Sequence, residues 1–146
     1  MARILIMEDD PAQAFDLADL LMLEGHDVIT VQDGASANEE LEGGRFDLLI
    51  ADLIIRREGQ AIPDGGILLI GRLRMAGKLP ELAWIDEMPI LAVSGSVHNK
   101  GMGHALSLAN DLGADAILSK PFSSENLLEA VNLLLTEGRQ LKRRES

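Results

Sequence analysis

Cysteine is absent from the 146-residue chain, which removes disulfide scaffolds, thiolate zinc sites and cysteine nucleophiles in one step. The three histidines, His26, His98 and His104, lack the i,i+3 or i,i+4 spacing that puts two imidazoles on one helical face, so a histidine metal site is not expected. No apolar run approaches the length of a membrane span. Basic residues are scarce: 13 Lys and Arg stand against 24 Asp and Glu, a net charge of −11 that repels phosphate backbones and anionic lipid. Neither nucleic acid nor a membrane is an expected partner. After Met1, Ala2 and Arg3 come only four apolar residues, Ile4 to Met7, before the first acids, so no secretory signal is read and a cytoplasmic location is expected.

What is present suits a folded domain. Hydrophobic residues make up 47% and charged residues 25%, with a mean hydropathy of +0.10, which excludes a disordered chain. At this length one domain can bury a sizeable core without cross-links. We expect it to span residues 1–138, with a short basic tail at 139–146 whose Arg139, Lys142, Arg143 and Arg144 complement a helix end.

Apolar runs alternate with helical periodicities along the chain. Ile4–Met7 is wholly apolar, as expected of a strand covered on both faces. Asp10 then stands as an N-cap, Pro11 takes the first helical position and Gln13 completes a capping-box spacing. Ala14, Leu17, Ala18 and Leu21 give that helix its buried stripe, and Gly25 a left-handed stop. Val28–Val31 reads as a second strand, and a weaker helix with Ala37 and Leu41 lies between Gly34 and Gly43. A third strand is predicted over Phe46–Leu53, and a helix capped by Asp64 carries Leu69, Ile70 and Leu73. The stretch Gly77–Met88 holds Leu82, Trp84 and Ile85 after Pro80, enough for a short helical turn in which Trp84 covers local apolar surface.

A fourth strand covers Ile90–Val93, a helix with Ala105, Leu108, Ala109 and Leu112 ends at Gly113, and Ala116–Ser119 is the fifth strand. The last helix is capped by Ser123 or Ser124 and buries Leu127, Ala130, Val131 and Leu134. Five buried strands alternating with helices require crossover connections, hence an α/β fold: a doubly wound, five-stranded parallel sheet covered on both faces.

In such a sheet, ligands bind beyond the carboxyl ends of the strands. The residues standing there are Glu8 and Asp9 after the first strand, Asp52 in the third, Ser94 after the fourth and Lys120 after the fifth. A single strand-end aspartate is ordinarily a cap or turn former. Three carboxylates in one pocket instead repel one another and require a cation, and hard oxygen ligands without sulfur or imidazole favour Mg²⁺. Lys120 brings a compact positive charge suited to a phosphoryl oxygen, Ser94 a donor, and Gly95 an approachable backbone N–H. Pro121 biases Lys120 toward extended backbone and so keeps it at the strand end.

The segments ILIMEDDP, FDLLIADL, ILAVSGS and GADAILSKPF, in this order, resemble the receiver domain of bacterial two-component response regulators, from Arg3 to about Glu137. The resemblance implies the flavodoxin-like strand order 2-1-3-4-5, with Asp52 as phosphoacceptor, Glu8 and Asp9 as the acidic pair, Ser94 as switch hydroxyl and Lys120 as the lysine that meets the phosphoryl group. It implies Mg²⁺ held by Asp9, Asp52, the backbone carbonyl of Ile54 and, through water, Glu8. Ser94, Gly95 and Lys120 would bind the phosphoryl oxygens. A sensor histidine kinase or phosphotransfer protein is then the donor, and a downstream protein the target. The expected protein is a stand-alone response regulator that catalyses its own phosphorylation and slow dephosphorylation and turns over no external substrate. The alternative is a pseudo-receiver, an interaction module that is not phosphorylated. The fourth helix, fifth strand and last helix form the candidate homodimer face.

Three positions depart from the family pattern. Arg56 stands where a proline is usual, and Asp64 follows Asp52 by 12 positions, so the loop Ile54–Pro63 is longer than the family's. It reads as a lid, a kinase-selecting element or a plain surface insertion. Ile117 takes the place of the family's aromatic switch residue; being branched, stiff and without a polar tip, it has little to distinguish two positions. Switching is therefore expected chiefly in the loops Ser94–Gly101 and Ile54–Pro63, with a modest rearrangement at Ile117.

Overall fold

A computed structural model describes residues 1–53, 56–57, 60–61, 66–94 and 113–138. Strands β1 (Arg3–Met7), β2 (Asp27–Val31), β3 (Leu48–Asp52), β4 (Ile90–Ser94) and β5 (Ala116–Ser119) form one sheet. All neighbours are parallel and the order is β2-β1-β3-β4-β5, as the resemblance implies. The crossovers run through α1 (Pro11–Leu23), α2 (Gly34–Gly43) and α3 (Gly66–Ala76), then the short α4 (Ala83–Glu87); α5 (Ser124–Glu137) follows β5.

Side chains alternate across a strand, so each central strand feeds two cores. Ile4, Ile6, Leu48, Ile50, Leu91 and Val93 meet Leu17 and Leu21 of α1 and Leu127, Val131 and Leu134 of α5. Leu5, Met7, Leu49, Ala51, Ile90 and Ala92 point the other way, toward α2 and the Leu69, Ile70 and Leu73 stripe of α3. Burial on both faces holds for β1, β3 and β4, whereas β2 and β5 are largely half-buried. The five buried strands expected from the apolar runs are thus three, because an edge strand has a neighbour on one side only.

Local chemistry sets the element ends. The Asp10 carboxylate caps α1 by accepting from the N–H groups of Ala12 (2.9 Å) and Gln13 (3.3 Å), with Pro11 at the first helical position. The reciprocal half of the expected capping box does not form. The Asp10 N–H donates instead to Glu8 Oε1 (3.2 Å), and the Gln13 side chain turns to Asp10 Oδ2 and to Lys120. Gly25, with φ +92°, ends α1 as its spacing predicts. Asp33, unassigned by the pattern, caps α2 by accepting from Ser36 N–H. Ser123 caps α5. The third strand begins two residues later than predicted, since Asp47 accepts from Arg3 N–H through its side chain and the Arg3 guanidinium lies 4.4 Å from the centroid of the buried Phe46 ring.

The stretch before β4 forms a single 3₁₀ turn, Pro80–Leu82, and then α4; Ile85 and Met88 are buried, and Trp84 packs against the α3-side core as a cover. Within the long loop, Arg56–Arg57 and Gln60–Ala61 pair as a two-residue antiparallel ladder. The Ile54 carbonyl, Asp64, Gly65, Gly95, the helix predicted around Ala105–Leu112 and the basic tail lie outside the described residues. Among the described residues no helix is long and apolar enough to cross a membrane.

Candidate functional site

Parallel strands aim all their carboxyl ends at one edge, and the registers set those ends level. Met7 pairs with Ala51, Asp52 with Val93, and Ser94 with Ser119. The next residues along β1 and β5 are Glu8 and Lys120, so Glu8, Asp9, Asp52, Ser94 and Lys120 come together as predicted. Backbone bonds beyond the sheet ladder hold this rim: Glu8 N–H donates to Val31 O (2.9 Å), Leu53 N–H to Val93 O (2.9 Å) and Lys120 N–H to Ser94 O (2.7 Å). The Lys120–Pro121 peptide is cis.

Glu8, Asp9 and Asp52 each bring a carboxylate oxygen within 4.8 Å of the others. Glu8 and Asp52 are only 3% and 6% exposed, which denies them the water that would screen their repulsion. Lys120 meets that charge in part. Its Nζ lies 2.9 Å from Glu8 Oε2 and 3.5 Å from Asp52 Oδ2, and donates to Gln13 Oε1 at 2.6 Å. Burial works to lower the Lys120 pKa, but the Asp52 charge and the bonded Glu8 carboxylate together outweigh it and hold the ammonium above the ordinary lysine value. Among the described residues, three carboxylates stand against one ammonium, a net negative cluster of hard oxygen donors that fits a small divalent cation such as Mg²⁺. Ser94, 1% exposed, closes the floor at the end of β4. A groove of about 510 Å³ opens beside Lys120, lined by Gln13, Asp16, Leu17, Pro121 and Phe122.

Two residues of the site escape a reading by motif. Gln13 is one; the other is Gly66, the first residue of α3. A Cβ there would lie 2.5 Å from the backbone oxygen of Asp52 and 3.1 Å from Leu53 Cα, so α3 can start against the Asp52 backbone only because the side chain is a hydrogen. In Gly66→Ala, either α3 or Asp52 must shift, and we expect a loss of about 1–3 kcal/mol in urea unfolding together with weaker Mg²⁺ binding. Gly43→Ala, with nothing within 4 Å of the added carbon, is the control and should leave Mg²⁺ binding unchanged.

Comparison with known proteins agrees with this geometry. The chain is 31% identical over 136 residues, 93% of its length, to the transcriptional regulatory protein TcrA of Mycobacterium tuberculosis, and spans about half of that relative, 47%. The signal receiver domain of a signal transduction histidine kinase from Syntrophus aciditrophicus superposes with a TM-score of 0.74 at 26% identity, covering 93% of this chain and 91% of that one. The chemotaxis protein CheY4 of Vibrio cholerae shares the fold, with a TM-score of 0.73 at 23% identity and coverage of 90% and 97%. The family model for the response regulator receiver domain matches residues 4–132, nearly the whole alternating pattern from β1 into α5. Sheet order, acidic rim and matched span agree, and the chain belongs to the receiver domain family of two-component response regulators.

Proposed function

We propose that this domain accepts a phosphoryl group on Asp52 from a sensor histidine kinase or phosphotransfer protein and signals through phosphorylation-dependent contact with a downstream protein. The observation that carries the reading is the position of Asp52: a nearly buried carboxylate with two acidic neighbours inside 4.8 Å and an ammonium 3.5 Å away. An isolated nucleophile would need neither. We take residues 1–138 as the receiver unit and 139–146 as a tail. The net charge of −11 favours a protein target over nucleic acid. A cytoplasmic location goes with this reading. The curated relatives are about twice as long, so the intact mass of the natural gene product decides whether the domain acts alone.

Asp9, Asp52 and the Ile54 carbonyl, with Glu8 through water, would hold Mg²⁺, which supplies charge neutralisation to the phosphoryl oxygens. The Asp52 carboxylate attacks phosphorus: an O–P bond forms while the P–N bond to the donor imidazole breaks, the electron pair staying on nitrogen, which takes up a proton. Lys120 and, as the resemblance implies, the Gly95 N–H would bond the transferred oxygens, so the work of the protein is mostly positioning. Ser94 Oγ bonds the new phosphoryl group and draws in the end of β4. Ile117, paired with Ala92 on the neighbouring strand, repacks only modestly. Water later attacks the acyl phosphate and releases inorganic phosphate, restoring the carboxylate.

Incubation with Mg²⁺ and acetyl phosphate should raise the intact mass by one phosphoryl group, and chelation of Mg²⁺ should prevent the gain. An unchanged mass with several small donors would favour the pseudo-receiver.

A further inference from the structure

The Gln13 side chain is used twice. Its Nε2 donates to Asp10 Oδ2 (3.1 Å) and its Oε1 accepts from Lys120 Nζ (2.6 Å), the shortest contact of that ammonium. Asp10 is itself anchored, since Oδ1 accepts from the Ala12 and Gln13 amides of the first helical turn. A chain of bonds therefore runs from the start of α1 through Asp10 and Gln13 to Lys120.

We propose that Gln13 is a positioning residue: it holds the Lys120 ammonium on the α1 side of the pocket and so makes Glu8 and Asp52 available to a divalent cation. The inference rests on the reading that the acidic cluster binds Mg²⁺. An ammonium has three N–H donors, and here they face Gln13 Oε1, Glu8 Oε2 and Asp52 Oδ2. A cation among Glu8, Asp9 and Asp52 competes for two of those acceptors and repels the ammonium as well. The Gln13 carbonyl is the neutral one, contributing an acceptor without adding a fourth charge to the cluster. With it in place, Lys120 can slacken its hold on the carboxylates and still be hydrogen-bonded. Without it, every loosening from Glu8 or Asp52 leaves an N–H with fewer partners, so the ammonium competes harder with the metal.

The test is calorimetric Mg²⁺ titration of the whole chain as wild type, Gln13→Met and Gln13→Glu. Methionine keeps length and helix propensity but offers no comparable acceptor; glutamate keeps one. We expect Gln13→Met to bind Mg²⁺ about three- to tenfold more weakly, and Gln13→Glu to bind at least as tightly as wild type. A metal-free readout accompanies it: the Gln13 side-chain amide resonances should shift in Lys120→Met, which removes the ammonium from Oε1. Equal Mg²⁺ affinities in wild type and Gln13→Met, or equal weakening in both variants, would overturn the positioning role while leaving the metal site intact. Failure of the wild type to bind Mg²⁺ would instead overturn the metal reading on which this inference rests.

Discussion

Asp52→Asn is expected to take up no phosphoryl group under conditions in which the wild type gains one. The carboxamide lacks the anionic oxygen that attacks phosphorus, and the other carboxylates of the cluster, Glu8 and Asp9, follow β1 rather than ending β3, which lies between β1 and β4. The substitution also removes one charge from the cluster. Lys120 keeps Glu8 and Gln13 as partners at 2.9 and 2.6 Å, so the fold should survive and the loss is chemical rather than structural. Intact mass spectrometry reads the gain and circular dichroism checks the fold. Undiminished uptake by a folded Asp52→Asn would move the nucleophile elsewhere.

The second large effect is expected at the opposite end of the sheet, where Arg74 near the end of α3 fastens the stretch before β4. Its guanidinium donates to the carbonyls of Ile85 (2.9 Å), Met88 (3.1 Å) and Gly113 (3.1 Å) and to Asp115 Oδ2 (3.0 Å), an oxygen that also accepts from Ile90 N–H (2.8 Å). The Asp115 side chain is fully buried and that of Arg74 11% exposed, so removing one partner leaves a charge without its counter-ion in a dry place. Arg74→Ala should lose about 3–5 kcal/mol of unfolding free energy. In Arg74→Met with Asp115→Asn, the buried charge is gone while Asn can still accept from Ile90 N–H, and part of the loss should return. Urea midpoints measure both. A single-variant loss within about 1 kcal/mol, the range of exposed pairs, would mean that the network contributes little.

These residues also mark how far the sequence could be read. Apolar runs and caps carry their own signals: Ile4–Met7 has no polar face to expose, and Asp10-Pro11 can only begin a helix there. From the alternation follows the parallel sheet, and from the sheet the gathering of Glu8, Asp9, Asp52, Ser94 and Lys120 at one edge. What the pattern missed depends on three-dimensional partners. Gln13 sits correctly for a capping box, yet Lys120, more than 100 residues away, offers its carbonyl a charged donor and takes it. As a letter Gly66 carries no mark of its role; only the approach of the Asp52 backbone reveals it. Arg74 stands four positions after the buried Ile70, where the helical stripe calls for an apolar residue, and that mismatch was a usable sign of a buried ion pair.

The most direct test of the central claim locates the phosphoryl group. An acyl phosphate is reduced by borohydride to the corresponding alcohol, so a phosphorylated aspartate becomes homoserine and can be placed by peptide mass spectrometry. After treatment with acetyl phosphate and Mg²⁺, we expect homoserine at position 52 and none when the donor is omitted. Homoserine at position 9, or donor-dependent phosphorylation with position 52 unaltered, would contradict the account.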